Sequence, residues 1–308
     1  MKEFELIERL TRSLPYNPSV LTGAGDDCAV LDLRIPDRLL LFKTDAIVQG
    51  VHFESTAPPE KVGHKALGRC LSDIAAMAGI PTAALVTLAL PREFDPNYLE
   101  RLYCGINKLA RQFDVAIVGG ETTTNPERLL ISISLLGWVA RGKVLLRSGA
   151  KPGDALFVTG ELGGSLAGKH LEFEPRLAEA RWLAEHFQIH AMIDLSDGLA
   201  GDLPHILKAS GVGAELLASA IPLSREARRA AKASGKPALL AGLTNGEDFE
   251  LLFTVTSRDA VPLLDSWKKQ YPHTLLSCIG KITSAKGIAI RDKQGLRPLT
   301  VHGYEHFA

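Results

Sequence analysis

The chain alternates along its whole length between apolar runs of β type and segments with helical spacing. In the first half, the runs that predict strands read CAVLDL, RLLLFKTDAIV, TAALVTLALP, VAIVGG and LLISISLLGWV. Between them, the spacing of apolar residues predicts a helix over 59–79 that Pro81 ends. Asp95 followed by Pro96 predicts the start of a second helix. This alternation indicates the α/β or α+β class.

The second half repeats the pattern after a turn-rich stretch, RSGAKPGDALFVTG, that reads as a boundary. A strand, a glycine-rich turn and a helix are predicted first, followed by a helix over 199–210 and the strand DFELLFTVT. The 308 residues are enough for two domains of ordinary size. We therefore predict two α/β domains, over residues 1–148 and 149–308.

Composition narrows the partners that we expect. Thirty-five basic residues balance thirty-five acidic ones, so nothing in the net charge indicates nucleic-acid binding or a membrane surface. The longest apolar run, 83–90, is far too short to span a bilayer. The four cysteines are scattered without a CxxC pair, which fits a reducing compartment. The N-terminal MKEFELIERL is charged and amphipathic, unlike a signal peptide. We expect a cytoplasmic protein.

Acidic residues recur at predicted strand ends and turns, beside glycine, serine or threonine. They are Asp26 and Asp27 in GDD, Asp45 in KTD, Glu121 in GGETT, Asp194 and Asp197 in DLSDG, and Glu247 and Asp248 in NGED. Hard cations such as Mg²⁺ prefer carboxylate oxygens and phosphates, and glycine lets the backbone approach a phosphate closely. The pattern predicts a site with several metal ions that handles phosphate. Each acid taken alone also fits a turn or a helix cap, so both interpretations stay open.

One further acid, Asp73, lies inside the first long helix, where it fits either a metal ligand or a half-exposed residue paired with Lys65 or Arg69. No nucleophile motif and no dinucleotide fingerprint is present. His52 follows the strand that carries Asp45, so a ligand contact and a structural role both stay open. The stretch GGSLAGKH resembles a P-loop but has His170 where Ser or Thr is required. A helix of small residues packed on the sheet explains it better, and a P-loop nucleotidase stays a secondary alternative.

Taken together, several stretches resemble the thiamine-monophosphate kinases, within the ATP-binding superfamily of aminoimidazole ribonucleotide synthetase. In order, they are GAGDDCAVLD, KTDAIVQGVHF, KALGRCLSDIAAMAG, VGGETTTNP, RSGAKPGDALFVTG, IDLSDGLAGDLPHI, NGEDFELLFTV and GYEHFA. The resemblance implies transfer of the γ-phosphoryl group of ATP to thiamine monophosphate, giving thiamine diphosphate. It also implies an N-terminal ATP- and metal-binding domain and a C-terminal domain, with the N-terminal sheets of two chains forming a barrel in a homodimer. ATP would lie between N-terminal elements and the helix start after DLSDG.

The resemblance further implies roles for individual residues. The predicted magnesium ligands are Asp26, Thr44, Asp45, Asp73, Glu121, Asp194 and Asp197. The predicted ATP contacts are Gly120, Glu121, Arg147 and Ser196, and the predicted contacts to thiamine monophosphate are His52, Glu247 and Tyr304. Asp27 would be a structural neighbour of the metal. No residue is predicted as a general base, because the acceptor is a phosphate monoester that is already anionic near neutral pH.

Three departures from the family pattern bear on these expectations. Glu121 stands where the family commonly has Asp, and its extra methylene moves the carboxylate outward by about 1.5 Å, one C–C bond. Lys43 stands where a small hydroxyl residue often precedes the TD pair, and a lysine there would replace one metal with a fixed positive charge. The stretch 168–190 is compact, so that a lid over the substrate would differ. The alternatives are another ATP-dependent enzyme of the superfamily, of purine or selenophosphate type, or a non-catalytic nucleotide-binding relative.

Overall fold

The structure is a computed structural model that describes residues 3–304. The last four residues of the GYEHFA motif, 305–308, lie outside the described residues. The chain divides into two compact units, each built around one sheet. The six-stranded unit comprises residues 18–144 and 171–177, and the seven-stranded unit comprises 3–17, 145–170 and 178–304. Across 3–304, every helix is too short or too polar to cross a bilayer.

The six-stranded unit carries one sheet and two long helices. Its elements are β1 (Val20–Thr22), β2 (Ala29–Leu31), β3 (Arg38–Val48), α2 (Pro59–Ala76), β4 (Ile80–Leu90), α3 (Pro96–Gln112), β5 (Ala116–Thr124) and β6 (Leu130–Ala140). The strand order is β1-β2-β3-β6-β4-β5, and only β4 and β5 pair in parallel. The predicted bounds of β3 are confirmed, and they place Asp45 inside the strand and not at its end.

Helices α2 and α3 pack against one face of this sheet and against each other. Two glycines allow their backbones to touch: a Cβ at Gly63 would overlap the carbonyl oxygen of Leu102, and one at Gly105 would overlap that of Glu60. Asp95 caps α3 as predicted, accepting a hydrogen bond of 2.9 Å from the backbone N–H of Asn97. The predicted end of α2 is wrong. The helix ends at Ala76, and Pro81 is the second residue of β4 instead of a helix terminator.

The seven-stranded unit contains the remaining elements. They are α1 (Glu3–Thr11), β7 (Asp154–Thr159), α4 (Leu177–His186), β8 (Ile189–Asp194), α5 (Leu199–Ser210), β9 (Gly213–Leu217), α6 (Arg225–Ser234), α7 (Ala238–Thr244), β10 (Leu251–Thr256), α8 (Ala260–Gln270), β11 (Leu276–Thr283), β12 (Gly287–Asp292) and β13 (Gly295–Pro298). The strand order is β13-β12-β9-β11-β7-β10-β8, and β12 and β9 form its parallel pair. Apolar residues of β7, β8, β10 and α5 contribute to the core. The helix predicted over 199–210 is confirmed as α5, whereas the strand predicted at DFELLFTVT is β10, which begins only at Leu251.

The helix predicted over the GGSLAGKH stretch is wrong. After β7 the chain makes two short 3₁₀ turns, Ser165–Ala167 and Lys169–Leu171. Gly163 and Gly164 lie so close to the backbone of α7 and α6 that a Cβ on either would come within 2.7 Å of it. A P-loop needs a helix that begins at its Lys and presents its first N–H groups to phosphate. This segment therefore lacks the structural basis of the P-loop alternative.

Candidate active site

Four charged side chains, two from β3 and two from α2, meet where the helix covers the strand. Lys43 and Asp45 lie two residues apart on β3, between the buried Leu41 and Ile47. Opposite them, Arg69 and Asp73 are one turn apart on α2. The Nζ of Lys43 lies 2.8 Å from Oδ1 of Asp73. The Nε of Arg69 lies 3.0 Å from Oδ2 of Asp45, and its Nη2 lies 3.4 Å from Oδ1.

Asp73 has an ion-pair partner that the sequence analysis did not consider. Asp73 is buried and pairs with Lys43, whereas Arg69 pairs with Asp45 and Lys65 points elsewhere. Burial alone would lower the pKa of Lys43, but the charges of Asp73 and Asp45 and the hydrogen bond to Asp73 outweigh it and raise that pKa. The lysine is therefore a fixed cation at neutral pH.

Asp27 joins this group from the loop before β2. One of its carboxylate oxygens lies within 4.8 Å of one of Asp73, and both residues are buried. Asp26 is half-buried, and its Oδ1 accepts a hydrogen bond of 3.0 Å from the backbone N–H of Asp27. A set of converging carboxylate oxygens is the donor type that Mg²⁺ prefers, so these residues fit a magnesium site. The pair in GDD thus has one buried and one accessible carboxylate.

Thr44 and Glu121 lie elsewhere in the same unit. Strand alternation turns Thr44 to the face opposite Asp45, where its hydroxyl lies 3.2 Å from that of Ser134. The structure does not bring this hydroxyl to the acids on the α2 side. Glu121 is exposed on the edge strand β5, and its Oε1 accepts a hydrogen bond of 2.8 Å from the backbone N–H of Thr122.

The two positions before Glu121 require glycine, one because of its backbone conformation and the other because β4 lies so close. Gly119 has a φ of +146° next to a β-bulge between β5 and β4. A Cβ at Gly120 would overlap the carbonyl oxygen of Val86 on β4. These glycines bring β5 close to β4 and leave the exposed backbone of Gly120 approachable.

His52 lies just beyond β3 and is held by two backbone contacts. The N–H of Val48 donates a hydrogen bond of 3.1 Å to Nδ1 of His52. Lys65, fully buried in α2, donates from Nζ to the backbone carbonyl oxygen of His52 at 2.5 Å. A ring nitrogen that accepts a hydrogen bond carries no proton, so the proton of the neutral ring is on Nε2. His52 is therefore set up as a hydrogen-bond donor.

In the seven-stranded unit, the DLSDG stretch connects β8 to α5. Asp194 is buried at the end of β8, while Ser196 and Asp197 are half-buried in the turn. The sequence analysis missed Asp202, a buried residue in the first turn of α5 that accepts a hydrogen bond of 3.0 Å from the N–H of Asp197. Burial, Asp197 and Asp194 together raise its pKa. Its position as the fourth residue of α5, in the first turn, was the available signal.

Arg147 belongs to the same neighbourhood. Its positive charge opposes the rise in the pKa of Asp202, so it lies within electrostatic range of that carboxyl. Its backbone carbonyl accepts a hydrogen bond of 3.4 Å from the hydroxyl of Ser210, the last residue of α5. The structure thus places this predicted ATP contact beside the acids of DLSDG.

Backbone hydrogen bonds join this turn to two other predicted contacts. The N–H of Glu247 donates to the carbonyl oxygen of Ser196 at 2.7 Å, and the N–H of Tyr304 donates to that of Asp197 at 3.0 Å. Glu247 has a φ of +64°, an uncommon conformation for a residue with a side chain. Its Oε2 lies 2.9 Å from Nδ1 of His170. Strain of this kind persists where the surroundings fix the backbone, which is typical of binding sites.

Next to Glu247 in the chain lies a buried polar group, of which the sequence analysis singled out Asp248 but not Glu250. Glu250 is 1% exposed, and its carboxylate contacts Nζ of Lys169 at 2.7 Å and the hydroxyl of Thr159 at 2.8 Å. Asp248 is equally buried, and its Oδ2 accepts a hydrogen bond of 2.9 Å from the N–H of Gly163. Burial raises the pKa of Asp248 to about 7, against the opposing effects of that hydrogen bond and of Lys169.

Comparison with known proteins agrees with this architecture. The family models of the AIR synthase related proteins match at residues 25–139 for the N-terminal domain and 151–293 for the C-terminal domain. The thiamine-monophosphate kinase of Rhodopirellula baltica is 42% identical over 90% of this chain and 87% of its own length. That of Bacillus subtilis is 33% identical over the full length of both.

A solved structure, "AaThiL complexed with AMPPCP and TMP", superposes with a TM-score of 0.79 at 31% identity, covering 99% of this chain and 97% of that one. The predicted two-domain fold of the aminoimidazole ribonucleotide synthetase type is confirmed by these matches. The resemblance found in the sequence motifs is confirmed as well. The chain therefore belongs to the AIR synthase related proteins and, among them, to the thiamine-monophosphate kinase family.

Proposed function

We propose that the protein transfers the γ-phosphoryl group of ATP to thiamine monophosphate and so produces thiamine diphosphate. The observation that carries this proposal is the full-length similarity to the AaThiL structure, which was solved with AMPPCP, an ATP analogue, and TMP. The full-length match to the curated kinase of Bacillus subtilis supports the same activity.

The chemistry of the residues suits this reaction. A phosphate monoester with a second pKa near about 6 is a competent nucleophile at neutral pH, so the enzyme must neutralise and align two polyanions instead of removing a proton. His52 fits this requirement, because a ring that accepts the Val48 N–H at Nδ1 offers Nε2–H to a phosphate or other acceptor. We propose that His52, Glu247 and Tyr304 contact thiamine monophosphate.

We further propose that several Mg²⁺ ions bind at Asp26, Asp45, Glu121, Asp194 and Asp197. The contact predicted for Thr44 is not part of this proposal, because its hydroxyl lies on the sheet face opposite Asp45. Asp73 belongs to the same predicted set, although its Oδ1 is already bonded to Lys43. Bound there, magnesium would neutralise charge on the phosphates. Gly120, Glu121, Arg147 and Ser196 are the proposed ATP contacts. Residues 1–148 would form the ATP- and metal-binding domain, and residues 149–308 the C-terminal domain.

A homodimer is part of the proposal. The face of the six-stranded sheet away from α2 exposes Phe42 and Leu85, at 45% and 47%, and Val118 on the edge strand at 63%. Exposed apolar residues on one sheet face are typical of a protein–protein interface, and a second copy of this sheet would cover them. The cysteines are all free, which supports the proposed cytoplasmic location.

The test is one incubation with Mg²⁺, ATP and thiamine monophosphate, followed by chromatography of the thiamine phosphates. We expect thiamine diphosphate and ADP to appear in equal amounts. Thiamine diphosphate should not form when AMPPCP replaces ATP. A folded protein that binds ATP yet forms no thiamine diphosphate would refute the proposal.

A further inference from the structure

The six-stranded unit supplies its own cations to two acids that the family resemblance assigns to magnesium. Asp73 is bonded to Lys43 at 2.8 Å, and Asp45 to Arg69 at 3.0 Å. None of these four side chains is more than 23% exposed. Ion pairs this sheltered are screened little by water, so they persist unless a stronger ligand displaces one partner.

The net charge of this group limits the number of divalent metal ions that it can bind. Asp26, Asp27, Asp45 and Asp73 carry four negative charges, and the two cations cancel half of them. The remaining two charges equal those of a single divalent ion. Without the two cations, the same four acids would match two divalent ions.

Lys43 also competes with a metal ion for one oxygen atom of Asp73. Its ammonium is hydrogen-bonded to Oδ1 of Asp73, on the side chain whose oxygens approach those of Asp27. A divalent ion on the same carboxylate would lie close to the ammonium, and the two positive charges would repel in a poorly solvated site. Its flexible stem and three donors also let it reach a phosphate oxygen while keeping Asp73.

We propose that Lys43 takes the place of one divalent cation at Asp73, so that the six-stranded unit holds one metal ion fewer than its acids would otherwise bind. The ammonium supplies the positive charge that a metal would supply there. This inference refines the metal binding of the proposed function but does not depend on the identity of the phosphoryl acceptor.

The test counts bound Mn²⁺ by electron paramagnetic resonance of the free ion, without nucleotide, in the full-length protein. Lys43→Ser removes the ammonium and opens space beside Asp73, so we expect one more Mn²⁺ per chain than in wild type. Added Mn²⁺ should also raise the unfolding temperature of K43S more than that of wild type. Lys61→Ser is the matched control, because Lys61 forms an exposed ion pair with Glu172 in the same unit. K61S should bind as many ions as wild type.

A second variant keeps the proposal testable if K43S does not fold. Lys43→Gln removes the ammonium but keeps most of the side-chain volume beside Asp73, so it should also bind one more Mn²⁺ per chain than wild type. Equal counts in wild type and in folded K43S or K43Q would overturn the proposal. These counts do not depend on kinase activity, so failure of the proposed function would be seen separately as the absence of thiamine diphosphate.

Discussion

Asp248→Asn should make the protein more stable, and the gain should grow with pH. The folded-state pKa of Asp248 is raised from 3.8 to about 7, chiefly by burial. Between these two values the unfolded chain has released this proton and the folded chain has kept it. The free energy of unfolding therefore falls as pH rises through this window.

The size of the effect follows from the shift. About three pKa units at about 1.4 kcal/mol each amount to about 4 kcal/mol, lost between pH 3.8 and about pH 7 and constant above it. Of this, about 2 kcal/mol should be lost between about pH 5.5 and pH 8. Asn resembles the protonated acid: its carbonyl oxygen accepts the N–H of Gly163, and it has no charge to bury.

The assay is urea unfolding of wild type and D248N at half-unit steps from about pH 5.5 to pH 8.5. We expect the difference between the two proteins to increase with pH and to level off above about 7. Asp265→Asn, which removes an exposed carboxylate from the same unit, is the matched control. A D248N difference that is the same at every pH would refute the reasoning.

Three other predictions test the six-stranded unit. Asp73→Asn should lower kcat by about 100-fold or more while circular dichroism stays native, because Lys43 loses the carboxylate that positions its charge; near-normal turnover would contradict the role given to this pair. Gly105→Ala should destabilise the unit by about 1–3 kcal/mol or more in urea unfolding, because the added Cβ overlaps the carbonyl oxygen of Glu60; Cys104→Ala, at an exposed position of the same helix, is its control. Leu85→Asp should convert a dimer to monomers in sedimentation velocity, and an unchanged sedimentation coefficient would exclude this face as the interface.

Local patterns in the sequence were enough to predict most strands and helix starts. The run RLLLFKTDAIV gave the bounds of β3, and Asp95 with Pro96 gave the start of α3. The end of α2 was predicted wrongly because Pro81 looks like a helix terminator in the sequence. A proline also fits near the start of a strand, where its missing N–H costs no hydrogen bond of the sheet. The helix expected in GGSLAGKH failed because contacts with α6 and α7 fix the two glycines there.

The acids of the candidate site were found from their positions beside glycine, but their partners were not. Which cation meets Asp73 depends on how α2 lies across β3, and sequence spacing carries no information about that register. The sequence placed Lys65 and Arg69 near Asp73 along the helix, whereas the structure brings Lys43 to it from the sheet. Glu250 and Asp202 were missed because burial, a tertiary property, is what distinguishes them from ordinary surface acids.

The glycine contacts between α2 and α3 affect how this layer opens to solvent. Because the backbones touch at Gly63 and Gly105, no side chain separates the two helices at these positions, and one helix cannot move there without the other. Amide hydrogens of the two helices should therefore exchange through one shared opening. In native-state exchange, α2 and α3 would then lose protection at the same denaturant concentration, and the charged pairs on α2 would persist for as long as α3 stays in place.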